Sequence, residues 1–552
     1  MKLTGAQIVT AVLKEQNVDT IFGYPGGNVL KIYDEIYKTD GLTHITTAHE
    51  QGAAHAADGY ARTSGKVGVV IATSGPGATN LVTGIAAAAL DSVPLVAITG
   101  NVSTKALGKD SFQEVDIMGV TMPITKHNYI VKDIRMLADT LREAFAIAKS
   151  KRPGPVLVDI PQDVQFAECD YEKKPPVSAF PVPSADKEAL EKAVDMINFS
   201  KRPFIYAGGG VIISGTSKHL IRFAEKTDAP VGTSMMGLSA VPRNHESFVG
   251  MTGMHGRYAA TTAMFNSDLI IAIGTRFSDR ATGNKQKFAS NVPVLHIDID
   301  NAEINKNVSV THKVVGDLRE ILPYLAEHVS DKTRPQWREE IKQYKVYENS
   351  RIPSANGILT PKTIIEAIGA KTDDLTPIAT DVGQHQMWTA QFYDFKKPGT
   401  FLTSGGLGAM GYGMGAAIGA SVALGKKTTV LITGDGSFHM NLCELATAVT
   451  ENLPIKIFVL NNHALGMVRQ WQTMFYDGRY SETVSKRKTD FAKVAEAFGA
   501  KGYSVSTPEE FFKAADSAFS DNSVCVVDCK INFEENVLPM IPPGGSLSDI
   551  IM

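Results

Sequence analysis

The sequence predicts an α/β protein of three doubly wound parallel-sheet domains, and three observations predict it. Short, nearly continuous apolar runs rich in β-branched residues alternate with helix-like segments, the pattern of buried parallel strands joined by crossover helices. Two of these stretches repeat one layout: a strand reaching Thr73 or Thr433, a glycine-bearing turn, a helix, then Pro94 or Pro454 before the next strand, both intervals being 21 residues. Acidic residues, Asp91 and Glu451, stand three positions ahead of the two prolines, so the layout reads as a duplicated template. Finally, 552 residues are enough for several cores, about three or four domains.

Taken in order, residues 1–165 read as the first α/β domain. Residues 166–186 form a linker containing the Pro-rich run EKKPPVSAFPVPSAD. The second domain is expected over 187–335, with apolar strands at 204–207, 269–273 and 294–299. A charged helical connector covers 336–356, and the third domain runs over 357–552. Composition is ordinary for a globular protein, with 43% apolar and 20% charged residues. A net charge of -3 gives no reason to expect a nucleic-acid or membrane-surface partner. No apolar run approaches the ~20 residues of a membrane span. The first residues, MKLTGAQIVTAVLKEQ, pattern as an amphipathic helix rather than a signal or transit segment, so a cytoplasmic protein is expected. Cys525 and Cys529 share one face of an apolar strand, where packing explains them better than a metal.

Chemistry concentrates in two places. In the third domain a strand at 428–433 ends in Gly434-Asp435-Gly436, a helix is expected over 440–450, and a strand at 455–460 runs into Asn461-Asn462. Ligands of open parallel sheets bind at strand carboxyl ends, and Asp and Asn oxygens suit Mg²⁺ shared with phosphate oxygens. Gly434 and Gly436 let a diphosphate approach the backbone beside a helix N-terminus. Asp-Gly alone is ordinarily a turn; the pairing with Asn-Asn on the next strand carries the reading. In the first domain, residues 48–62 are helical in pattern, with Glu50, Ala54, Ala57 and Ala61 on one face. Such small residues admit another helix, placing Glu50 at a tight, poorly solvated contact where a raised pKa suits proton transfer. The simpler alternative is a helix-start carboxylate favoured by the dipole by under ~1 kcal/mol.

HEQGAAHAADGYAR (49–62), TSGPGATN (73–80), GDGSFHMN (434–441) and Asn461-Asn462 together resemble the thiamine-diphosphate decarboxylases and carboligases. The resemblance covers essentially the whole chain and implies pyrimidine-binding, central and diphosphate-binding domains in that order. It implies that Glu50 hydrogen-bonds a nitrogen of the aminopyrimidine and promotes the imino tautomer that generates the ylide. It also implies a metal on Asp435, Asn462 and the carbonyl of Ala464, and an active site shared between two subunits.

Ten further strings resemble the acetohydroxyacid (acetolactate) synthase catalytic subunits: GYPGGNVLKIYDE (23–35), DSFQEVDI (110–117), TKHNY (125–129), RPGPVLVDIP (152–161), GMHG (253–256), RFSDRATG (276–283), VGQHQMW (382–388), SGGLGAMGYG (404–413), GMVRQWQ (466–472) and LPMIPPGG (538–545). This closer resemblance implies decarboxylative condensation of pyruvate with pyruvate or 2-ketobutyrate. Arg280 is the clamp for a ketoacid carboxylate, a role its planar fork suits; otherwise it would be a surface partner of Asp279. Trp471 is the residue favouring 2-ketobutyrate; without the resemblance it reads as core. Phe112, Gln113, Met254 and Val382 match the substrate pocket, Gly408 and Met410 the residues against the pyrimidine amino group and between the cofactor's rings. Gln384, His385 and Met467 are carried as further cofactor neighbours. Gly208-Gly209-Gly210, Arg152, MMG (235–237), Gly274, Arg276, the HIDID strand with Asp298 or Asp300, and Asp317 resemble an FAD pocket, the flavin being structural in synthases.

Two positions depart from that family: Ser278-Asp279 where Asp-Asp is usual, and Gln162 where Lys is frequent. Both are expected to border the central pocket. A homodimer or homotetramer and a small regulatory subunit are the implied partners. The rival readings are an FAD-free fermentative synthase, a pyruvate oxidase-like flavoenzyme, and a catalytically silent cofactor-binding protein.

Overall fold

The computed structural model describes residues 1–284, 288, 292–351, 357–546 and 549–552. Residues 352–356, the end of the expected 336–356 connector, lie outside the described residues.

Strand β1 (Lys2–Thr4) precedes the first sheet, which contains β2 (Thr20–Tyr24), β3 (Thr43–Thr46), β4 (Gly68–Ala72), β5 (Leu95–Asn101), β6 (His127–Ile130) and β7 (Pro155–Pro161). Strand β8 (Glu168–Asp170) then pairs antiparallel with β1, so the Pro-rich segment starts pinned to the first domain. Lys174 N and Val177 N continue that attachment, donating to Glu15 Oε1 and Gln16 Oε1 at 2.8 and 3.0 Å. The central sheet contains β9 (Pro203–Ala207), β10 (Val231–Thr233), β11 (Phe248–Met251), β12 (Leu269–Ile273), β13 (Val294–Asp298) and β14 (His312–Val315). The third contains β15 (Ile378–Thr380), β16 (Phe401–Leu402), β17 (Thr429–Gly434), β18 (Ile455–Asn461), β19 (Lys501–Val505) and β20 (Cys525–Lys530).

All three six-stranded sheets are parallel. The central one has the order β11-β10-β9-β12-β13-β14, so its switch point lies between β9 and β12. The first and third have orders β3-β2-β4-β5-β7-β6 and β16-β15-β17-β18-β20-β19. Numbered within each sheet these are the same permutation, as expected of one template used twice. The charged helix Pro335–Ser350 packs on the central sheet, burying Trp337, whose Nε1 donates to Pro203 O at 3.1 Å. Cys525 and Cys529 are buried in the apolar cluster on one side of the third sheet. Among the described residues no helix is long and apolar enough to cross a membrane.

The first and third sheets share a core through two helices, Glu50–Ser64 and Tyr412–Ala423. Their backbones nearly touch. A Cβ on Gly59 would fall 2.3 Å from Ala416 O, and one on Gly419 only 1.9 Å from Ala56 O. The expectation of a close helix partner thus holds, but Glu50 is not sealed by it. Glu50 is the helix's first residue, beyond the overlap, and is half-buried while burial starts at Gly52. The third domain's helix also begins earlier than expected: Gly434 caps a helix over Asp435–Asn441, and a 3-10 turn, Leu442–Glu444, leads into Leu445–Thr450.

Gly419→Ala is expected to destabilise the fold by about 3 kcal/mol, because backbone rather than a mobile side chain occupies the Cβ position. Urea unfolding tests this, with Gly27→Ala, where nothing lies within 4 Å, as the neutral control.

Candidate active site

Parallel register sets Gly434 of β17 against Leu460 of β18, so Asp435 and Asn462 leave neighbouring strands at the same edge. Both side chains are buried. Asn462 Nδ2 donates to Gln384 Oε1 at 3.1 Å, and its Oδ1 accepts from Ala464 N at 3.2 Å. Burial pushes the Asp435 carboxyl up to about 6, while backbone N–H groups of the helix start pull it down. Lys530 does not neutralise it, being paired with Asp528 at 2.5 Å. His385 is buried, its Nε2 has no partner among the described residues, and burial lowers its pKa to about 3 and holds the ring neutral. A Cβ on Gly434 would lie 2.9 Å from His385 Nδ1. A buried acid, an amide oxygen and a buried ring nitrogen with no partner among the described residues, set around a glycine turn, form a group that fits a hard cation and a phosphate.

Beside this edge lies a cavity of about 940 Å³ where the central and third domains meet first-domain residues including Asp91, Ser92 and Arg152. Arg152, Gly209, Gly274, Arg276, Asp298 and Asp317 line its central-domain end. Gly274, at φ +58°, packs against Gly210 so closely that a Cβ would sit 2.8 Å from Gly210 Cα. Arg152 pairs with Glu303 at 2.6 Å and donates to Ser92 Oγ at 2.8 Å. Burial lifts Asp298 to about 6 and lowers Arg276. Asp300 instead caps the Asn301–Glu303 turn, accepting from Ala302 N at 3.0 Å. Asp317 caps the Leu318–His328 helix and is held below the usual carboxylate range by Arg319.

Val382, Gly408, Met410, Met467, Met254, Arg280 and Trp471 line the other end. The Arg280 guanidinium stands over the Trp471 ring, 5.3 Å from its centroid, and Arg280 NH1 lies 3.4 Å from Met254 Sδ. The Asp279 pairing is present too, at 3.7 Å and largely exposed. Trp471 Nε1 is buried without a partner among the described residues. Gly436 links this wall to the Asp435 turn, since a Cβ there would approach Met410 Cε at 3.8 Å.

Glu50, Phe112 and Gln113 are not brought to this cavity. They gather at the carboxyl end of the first sheet. Asn80 Nδ2 donates to Glu50 Oε2 at 2.9 Å, and Gln113, at φ +60°, packs its backbone on Gly75 of the same turn. Phe112 is 86% exposed. Of the two departures, Ser278 lines the cavity but Gln162 does not. Pro161 closes β7 on the first sheet, so Gln162 opens the short Gln162–Phe166 helix on that domain's surface.

Sequence reasoning missed the parts played by Asn80 and Asp91. Asn80 lies inside the quoted TSGPGATN, but only folding shows its amide aimed at Glu50. Asp91 served as a landmark equivalent to Glu451. In the structure Asp91 is buried and accepts from Gly405 N and Gly406 N at 3.0 and 2.8 Å, holding the turn that leads to Gly408 and Met410. Glu451 pairs with Lys426 at the surface.

Three family descriptions match in order: thiamine pyrophosphate enzyme, N-terminal TPP binding domain, over 3–120; central domain, over 190–325; and C-terminal TPP binding domain, over 381–529. The chain is 44% identical to the acetolactate synthase large subunit of Haemophilus influenzae, covering 100% of this chain and 98% of that one. It is 46% identical to the Corynebacterium glutamicum acetolactate synthase large subunit, over 100% and 90%. It is 41% identical to the isozyme 3 large subunit of Escherichia coli acetolactate synthase, over 99% and 98%.

Asp435 carries a folded-state pKa above its unfolded value. Its contribution is therefore favourable below pH ~4 and is lost as pH rises through about 6. In the cofactor-free protein, Asp435→Asn is expected to raise stability at pH 7.5 by up to about 3 kcal/mol and to leave it nearly unchanged at pH 4. Urea unfolding at the two pH values checks this.

Proposed function

The chain belongs to the thiamine pyrophosphate enzymes and, within them, to the acetolactate synthase large subunits, and from that premise we propose which residues carry the reaction and what else the site holds. Its activity is the thiamine-diphosphate-dependent condensation of pyruvate to 2-acetolactate with loss of CO₂. The finer reading extends the acceptor to 2-ketobutyrate, giving 2-aceto-2-hydroxybutyrate. Residues 1–165 take the pyrimidine, 187–335 a flavin, and 357–552 the diphosphate. The observation that carries the assignment is the cavity wall on which Arg280, Trp471, Met254, Met410 and Val382 meet.

When bound, thiamine diphosphate supplies the thiazolium that stabilises negative charge as a 2-ketoacid loses CO₂. The residues act around it. Glu50 would hydrogen-bond a nitrogen of the aminopyrimidine and hold a proton there, with Asn80 orienting its carboxylate from 2.9 Å. Glu50, Phe112 and Gln113 lie outside the cavity of their own chain, which supports a site completed by a second copy, in a homodimer or homotetramer. Arg280 clamps the ketoacid carboxylate, and its seat over Trp471 fixes the guanidinium plane. Trp471 packs the alkyl end of the acceptor and excludes water. Met410 and Gly408 would support the cofactor's rings, and Val382 and Met467 line the same wall.

Asp435, Asn462 and the Ala464 carbonyl would hold Mg²⁺ against the diphosphate, with Gln384 orienting Asn462, His385 at the phosphate turn, and Gly434 and Gly436 letting it approach. Asp435 and Asn462, both buried and leaving neighbouring strands at one edge, support that metal. FAD would take the central-domain end, where Gly209 and Gly274 follow the strands flanking the switch point and Arg152, Arg276, Asp298 and Asp317 line the same cavity. No electrons are transferred overall, so the flavin's part is structural. A small regulatory subunit is the further partner proposed from the relatives' large-subunit names.

Product analysis with pyruvate, thiamine diphosphate and Mg²⁺, with and without FAD and 2-ketobutyrate, tests the reading. Acetolactate without oxygen uptake supports it; acetaldehyde or acetyl phosphate would overturn it. Glu50→Gln is expected to cut kcat by about a hundredfold or more while leaving the circular dichroism spectrum intact. Trp471→Leu is expected to lower the preference for 2-ketobutyrate over pyruvate by about tenfold, read from competing product ratios.

A further inference from the structure

Glu444 is fully buried in the Leu442–Glu444 turn that follows the Asp435–Asn441 helix, and it does not line the cavity. Its carboxylate reaches out of the third domain to the loop ahead of the Glu50–Ser64 helix. Oε1 accepts from His49 N at 3.0 Å, and Oε2 accepts from Ala48 N at 3.1 Å. Thr447 Oγ1 donates to Oε2 at 2.6 Å and limits rotation of the group. The facing helix leaves room for it, since a Cβ on Gly52 would fall 2.1 Å from Glu444 Oε1. Filling this space does not require an acid. A leucine would occupy it without burying a charge, but would leave the Ala48 and His49 N–H groups unpaired. What the carboxylate adds is a two-point grip on the two residues that precede Glu50.

We infer that Glu444 is the positioning residue for Glu50, fixing the start of its helix against the third domain and so the point from which its carboxylate projects. The inference rests on the proposed role of Glu50 at the aminopyrimidine. Asn80 holds the tip of the Glu50 side chain, and Glu444 holds its base. The segment carrying Glu444 begins at Asp435, so the grip joins the diphosphate turn of a chain to that chain's own Glu50. On the two-copy reading, Glu50 serves the neighbouring site, and Glu444 ties the occupancy of one site to the geometry of the other.

The test compares Glu444→Gln with the parent protein. In the cofactor-free protein, backbone amide exchange over residues 44–52 is expected to quicken by about tenfold, because the new NH₂ meets an N–H that it cannot accept. With thiamine diphosphate and Mg²⁺ but no ketoacid, exchange of the cofactor's C2 proton into D₂O is expected to slow by about tenfold or more, with the thiamine diphosphate Kd changing by less than roughly threefold. Adding Glu444→Gln to Glu50→Gln is expected to slow exchange no further. Thr447→Val, which keeps the carboxylate but frees its rotation, is expected to slow C2 exchange by roughly threefold, with Thr447→Ser restoring it. Thr447→Val carries the test alone if Glu444→Gln does not fold. Parent-like C2 exchange in these variants, weakened cofactor binding with normal exchange, or an additive double variant would overturn the proposal. Normal C2 exchange in Glu50→Gln itself would overturn the reading of Glu50 on which it rests. Slow exchange there with normal exchange in Glu444→Gln would overturn the role of Glu444 alone.

Discussion

The contact between the Glu50–Ser64 and Tyr412–Ala423 helices sets the geometry on which the rest of the molecule depends. Glycine and alanine line both surfaces, so backbone meets backbone and the two sheets share one apolar cluster rather than touching across a wet interface. Such a contact tolerates almost no displacement, because the atoms that would have to yield are carbonyl oxygens and amide nitrogens. The first helix begins with Glu50, and the second follows directly on Met410 and Gly411. Glu50 and the Met410 turn are therefore positioned by one packing event.

Charges buried along that seam sharpen it. Arg62 lies between Asp58 and Asp91, at 2.7 and 3.1 Å, and Tyr412 donates to Asp58 at 2.6 Å. Buried ions are costly unless every lone pair finds a partner, so a sequence that keeps them gains specificity of arrangement rather than stability. Asp91 uses its remaining capacity on Gly405 and Gly406, in the turn leading to Met410, and Glu444 uses both of its oxygens on the start of the opposite helix. Each domain thus grips the functional segment of the other with one carboxylate.

The electrostatics of the third domain follow from what the strand ends bury. Burial raises Asp435 and holds His385 neutral, and His385 Nε2 has no partner among the described residues at the same glycine turn. At the other end of the cavity Arg152 and Arg276 supply the opposite charge, and burial lowers the pKa of Arg276. Buried charges of this kind are costly by themselves and become favourable when groups of opposite charge complete them.

By itself the sequence determined the three α/β units, the equivalence of the first and third, and the strand-end placement of Asp435 and Asn462. Those features follow from local patterns: apolar runs of strand length, glycine at turns, and residues a fixed number of positions past a strand. It also marked Glu50, through the small-residue face of its helix. Only the tertiary structure decided that Glu50 is half-open to solvent, that Asn80 aims at it, and that Gln162 stands away from the pocket. Only there do Asp91 and Glu451, equivalent in spacing, part into a buried latch and a surface pair. Periodicity fixes which face of an element turns inward, whereas a side chain's partners, brought from hundreds of residues away by domain packing, leave no trace in local pattern.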